Sequence, residues 1–130
     1  MTAEVFALKA GWFGMLFGVL SGAVLGLFFH RKEWLGGYAS HPRRFLRLGH
    51  ISFFGIGLLN LFYGLSLKPF GIDGTTAWWG AIGLSVALVT MPMCCFLTAW
   101  KKGYRHLFPL PVIGAATGII VVLGSDFWMP

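Results

Sequence analysis

Four apolar runs, each about twenty residues long and joined by short polar connections, constrain this chain more than any other feature. They cover residues 10–29, 45–67, 77–100 and 107–128. An α-helix rises 1.5 Å per residue, so about twenty residues match the ~30 Å hydrocarbon core of a bilayer. In that core each backbone polar group must find its partner inside the protein, which a helix provides within its own segment. The composition agrees: 57% of residues are hydrophobic and 11% charged, against about 25% charged in an ordinary soluble domain. A chain of 130 residues cannot hide so much apolar surface from water. The sequence therefore predicts an all-α fold, a single integral membrane bundle of four transmembrane helices over residues 1–130. The fourth run is the weakest, because Pro109 and Pro111 interrupt its start and residues 112–123 are short unless Phe127 and Trp128 belong to it. A re-entrant segment is the alternative there.

Charge then sets an orientation. Arg31, Lys32, Arg43, Arg44 and Arg47 lie between or just inside runs one and two, and Lys101, Lys102 and Arg105 lie between runs three and four. Only Lys9 and Lys68 fall on the other side. By the positive-inside rule the basic loops are cytoplasmic and both ends outside, an N-out/C-out arrangement in the plasma (inner) membrane. Trp12, Trp78, Trp79 and Trp128 form the outer aromatic belt of this reading, and Trp34, Tyr38, Trp100 and Tyr104 the inner one. The net charge of +6 is assigned to anionic lipid headgroups, with all eight inner cations as contacts. Nucleic acid is excluded as a partner, since the cations flank apolar spans and no nucleic-acid motif is present. The first run is expected to stay in the protein, because its positive charges follow it and no signal-cleavage pattern comes after. Ser40 followed by Pro42 predicts a helix start, and the connection from His30 to Arg44 is expected to lie on the headgroups.

Small residues recur along the runs. Gly14, Gly18, Gly22 and Gly26 occupy every fourth position of the first, Gly57 and Gly64 lie in the second, and Gly114 and Gly118 in the fourth. Such spacing lets backbones approach where lipid removes the hydrophobic drive for association. It predicts packing within the bundle or docking of the first span on another subunit. Pro92, inside the third run, is expected to kink that helix.

Few side chains could carry chemistry. His30, His41, His50 and His106 all fall toward the basic end, and His50 lies about 9 Å inside its span at 1.5 Å per residue. An ionisable residue at that depth should face the bundle interior. Phe53, Gly57, Asn60 and Gly64 share its face, within about 80° of it, leaving room for a flat ring or a close helix. Met91, Cys94 and Cys95 are expected at similar depth. Histidine and thioether ligate haem iron, so haem b is the candidate cofactor, with His50, Met91, His30 and His106 as its candidate ligands. Hydrogen bonding of a neutral His50 to a carbonyl, and a metal or proton-transfer role, are the other readings. No metal site is assigned, since adjacent Cys94 and Cys95 diverge by about 100° on a helix.

The string Gly103-Tyr104-Arg105-His106-Leu107 resembles the G-x-R-H-L motif in the cytochrome-b anchor subunits of succinate dehydrogenases, and His30-Arg31 is similar to that family's H-R pair. The likeness covers about seven residues. Ala99 stands where the family has its haem-ligating histidine, and the span count differs, so the chain is not assigned to it. Small multidrug exporters carry a glutamate in the first span and quinone-linked disulfide enzymes a C-x-x-C motif; this sequence has neither. With no nucleophile or acid–base constellation visible, the sequence points first to a non-catalytic accessory subunit of a larger membrane complex, such as a respiratory or electron-transfer assembly. A small haem or metal protein and a homo-oligomeric channel or carrier are the alternatives. Expected partners are membrane lipid and other membrane subunits or further copies of the chain.

Overall fold

A computed structural model describes residues 1–125. Its elements are four helices, α1 (Ala3–Phe29), α2 (His41–Leu67), α3 (Gly74–Trp100) and α4 (Pro109–Leu123), with short 3₁₀ turns at Trp34–Gly36 and Lys102–Leu107. All four have the length and apolarity to cross a membrane, the fourth when the turn before it is included. The bundle is antiparallel between neighbours: α1 packs on α2, α2 on α3 and α3 on α4, and α3 also touches α1. Phe127 and Trp128, the expected end of the fourth span and part of the expected outer belt, lie outside the described residues.

The helices begin earlier than the apolar runs because capping residues, and not apolarity, start a helix. Thr2 caps α1, its Oγ1 accepting from the Val5 N–H at 3.3 Å, and Glu4 sits in the first turn near the positive end of the dipole. Ser40 caps α2, its Oγ accepting from the Arg43 N–H at 3.4 Å. In α4 the two prolines shift the start: Lys102–Leu107 winds as a 3₁₀ turn, and Pro109 opens the α-helix where its missing N–H costs nothing. Pro92 is buried within α3, whose helix runs unbroken across it.

The core lies mainly along α3. Ala81, Leu84 and Ala87 are essentially fully buried, and 44% of the most apolar stretch of α3 is enclosed, against 11% for α1. Helix α3 is thus the axial element, and α1 gives one narrow face to the bundle and the rest to its surroundings. Small residues allow α4 to reach α3: a methyl on Gly83 would lie 2.8 Å from the Gly114 carbonyl oxygen, and one on Gly114 2.5 Å from that of Gly83. Gly118 receives the Leu84 side chain.

Candidate functional site

Helices α1 and α2 meet along a seam that advances by sevens. Arg43, His50, Gly57 and Gly64 of α2 face Phe29, Gly22, Met15 and Leu8 of α1, one chain rising as the other descends. Seven residues fall only about 20° short of two turns, so such a row stays on one face of a helix. In the middle of the seam the backbones nearly touch: a methyl on Gly57 would lie 3.1 Å from the Gly11 carbonyl oxygen and 3.4 Å from the Met15 nitrogen. One on Gly64 would meet Leu8 Cγ at 2.9 Å and the Glu4 carbonyl oxygen at 3.2 Å.

His50 sits in this seam. Its Nδ1 is 3.0 Å from Ser21 Oγ, and Ser21 Oγ donates to the Gly18 carbonyl at 3.0 Å. A hydroxyl has one proton; with that proton on Gly18, Ser21 accepts from His50 Nδ1–H. The ring stands edge-on to Phe54, centroids 5.5 Å apart, and its Cε1 would lie 2.6 Å from a methyl on Gly22. The space that Gly57 and Gly64 suggested beside His50 is therefore filled by α1, and Gly22 is the notch that seats the imidazole.

The candidate haem ligands do not converge. Met91 lines a groove with Cys95, Leu48 and Ile51 and packs on the cluster of Ile56, Ala87 and Leu88, on a side of α2 turned about 150° from His50. His30 is the exposed C-cap of α1, and His106 is exposed in the turn before α4. Asn60, expected on the His50 face, turns instead to α3. Among the described residues no cluster of three His, Cys, Asp or Glu is placed to hold a metal. This geometry does not fit a haem held by His50 with Met91, His30 or His106. Cys94 and Cys95 are both buried free thiols.

Of the cations expected at headgroups, Arg43 departs most. It is 3% exposed, and its guanidinium closes over the end of α1: Nη2 donates to the Phe29 carbonyl at 2.9 Å, Nη1 to those of Lys32 at 3.2 Å and Arg31 at 3.4 Å. The group also lies 4.7 Å from the centre of the Phe29 ring and 5.9 Å from that of Trp34. A cation at a helix C-terminus meets the negative end of the dipole and carbonyls that lack an intrahelical partner. The sequence signal for this role was the step of seven from Arg43 to His50. Arg47 is likewise engaged, donating to the Tyr38 carbonyl at 2.9 Å with its guanidinium 4.2 Å from that ring. The remaining six, Arg31, Lys32, Arg44, Lys101, Lys102 and Arg105, are exposed, and their side chains have no hydrogen-bond or ion-pair partner among the described residues. In the connection from His30 to Arg44, Trp34 stacks on Phe28 of α1, ring centroids 5.2 Å apart.

Helices α2 and α3 are joined by polar side chains that bond to backbone. Asn60, fully buried, donates through Nδ2 to the Ile56 carbonyl at 2.9 Å and the Leu84 carbonyl at 3.2 Å, and its Oδ1 accepts from Ser85 Oγ at 3.4 Å. The Tyr63 hydroxyl donates to the Ala77 carbonyl at 2.8 Å, and His41 Nε2 lies 2.8 Å from that of Thr98. Gly80 makes room for the Tyr63 ring. Of the expected packing glycines, Gly14, Gly18 and Gly22 lie against α2 or α3, Gly57 and Gly64 against α1, and Gly114 and Gly118 against α3, while Gly26 has open space before it.

Comparison with protein families, with curated proteins and with solved structures finds no match to this chain.

Proposed function

We propose that this chain is a non-catalytic subunit of a larger membrane assembly, inserted N-out/C-out in the inner membrane with its basic end cytoplasmic. One observation carries this reading: among the described residues most interior polar side chains are spent on holding helices together, the buried Thr98 hydroxyl being an exception. Asn60, Tyr63, His41 and Arg43 each bond to the backbone of a neighbouring element, and His50 to Ser21 of the adjoining helix. Such groups bind helices to one another, and among the described residues their polar atoms are turned to neighbouring helices instead of toward a solute or cofactor. What the chain offers a partner is its outside, above all the apolar face of α1 with Phe13, Leu16 and Leu20. Eight of ten cations at one end give it a fixed orientation.

The test places a photo-crosslinking amino acid at Leu16 or Leu20 in native membranes. A discrete cross-linked product with another membrane protein is expected, absent when the probe replaces Leu84, which faces inward. Cross-links to lipid alone, with the purified protein monodisperse by itself, overturn the proposal. A Soret band in that purified protein would overturn it in favour of the haem reading.

A further inference from the structure

The two sides of α2 offer a contrast at the basic end. On one side a groove runs between α1, α2 and α3, past Val24, Leu46, Phe53 and Phe96. The cation one turn before Leu46 is Arg43, buried and committed to three carbonyls. Phosphate cannot reach it. On the other side a groove of about 390 Å³ lies between α2, α3 and the start of α4, lined by Leu48, Ile51, Gly55, Met91, Cys95 and Phe108 among others. Its one α2 hydroxyl, Ser52, donates to the Gly49 carbonyl at 2.7 Å, so the trough presents hydrocarbon. Gly55 has nothing within 4 Å of where a side chain would begin, which makes its backbone part of an open floor.

Two exposed cations without a side-chain partner among the described residues, Arg44 and Arg105, each come one turn before a residue that lines this second groove. Arg44 precedes Leu48 by four residues, Ile51 by seven and Gly55 by eleven, spacings that hold one line along a helix. Arg105 lies one turn before Phe108, whose N–H bonds to the Arg105 carbonyl at 3.3 Å. Phe108 in turn approaches Phe45, ring centroids 6.3 Å apart, which brings the start of α4 beside the residue next to Arg44. Both arginines are exposed. A guanidinium pairs bidentately with a phosphate diester, and an apolar trough running from such cations toward mid-bundle has the polarity of a phospholipid: anionic head, hydrocarbon tail.

We propose that this groove binds one anionic phospholipid, its phosphate at Arg44 and Arg105 and an acyl chain over Gly55 between Leu48, Ile51, Met91 and Phe108. The proposal shares with the subunit reading only that the helices span a bilayer. Binding would fix the α2–α4 side of the bundle at headgroup depth, where Phe108 at the start of α4 approaches Phe45 of α2.

The test is native mass spectrometry of the full chain in detergent micelles titrated with phosphatidylglycerol or phosphatidylcholine. The wild-type protein should retain one phosphatidylglycerol about tenfold better than phosphatidylcholine, as expected for two cations near the phosphate. R44Q should cut that preference to about threefold and R44Q with R105Q should remove it, and G55L should weaken retention of both lipids by filling the trough, in a protein that stays folded because the space there is open. R31Q, on the α1 side, should change neither. Equal retention of the two lipids, an equal loss in R31Q, or retention unaffected by G55L each overturns the proposal. Because binding is read in micelles, it is independent of which leaflet the basic end faces and of any partner protein, so failure of the subunit reading leaves this result standing.

Discussion

The two seams of α2 hold their partners by different means. Toward α1 the contact is mostly shape: Gly57 and Gly64 bring the backbones close, and Gly22 seats a ring. Toward α3 the contact is chemical, with Asn60, Tyr63 and His41 each meeting a backbone carbonyl across the interface. The difference matters because lipid supplies no hydrophobic push between helices, so close packing and interhelical hydrogen bonds must do the joining. Packed backbone cannot yield, whereas a lost hydrogen bond between membrane helices costs about 0.6 kcal/mol on average. The steric seam should therefore be brittle and the polar seam forgiving.

That asymmetry can be broken directly. Gly57→Leu puts a branched side chain where the three nearest atoms are all α1 backbone, and should lower unfolding free energy by about 3 kcal/mol or prevent hairpin formation, read by denaturant titration in micelles. Arg43→Gln, which removes the fork over three carbonyls, should cost about 2 kcal/mol; Arg43→Lys should recover only part of this, since an ammonium lacks the planar fork. Asn60→Leu should cost about 1 kcal/mol and Tyr63→Phe about 0.6 kcal/mol, both as shifts in midpoint without loss of the fold. Gly26→Leu should fall within about 0.5 kcal/mol of wild type, as for a surface change away from any contact. A polar-seam variant that costs more than Gly57→Leu would reverse the comparison.

The four helices were legible because each must be apolar over the same length, a requirement written into every residue of a span. The partners of individual residues were less so. The glycine row of α1 was visible at every fourth position, yet four residues turn about 40° past a full turn. Over the three steps from Gly14 to Gly26 the row winds about 120° around the helix, which is why Gly14 meets α2 and Gly26 meets nothing. Arg43 was counted with the other cations because charge and position say nothing of whether a side chain turns outward or back over the preceding helix. His50 was read as facing the bundle, which it does, but its face was read as room for a ring because one strand of sequence cannot show that α1 occupies it. Nor could the spacing of His50 and Met91 show that Met91, on α3, lies on the side of α2 nearly opposite to His50.

The clamp of Arg43 over the end of α1 has a consequence for biosynthesis. Every group in it, and every step of the seam from Phe29 with Arg43 to Leu8 with Gly64, lies within the first 67 residues. The leading half of the chain thus contains its own locking contact and its own register before α3 has left the ribosome. A nascent hairpin latched in this way would enter the lipid as one piece, and α3 and α4 would then be added to a template already in place.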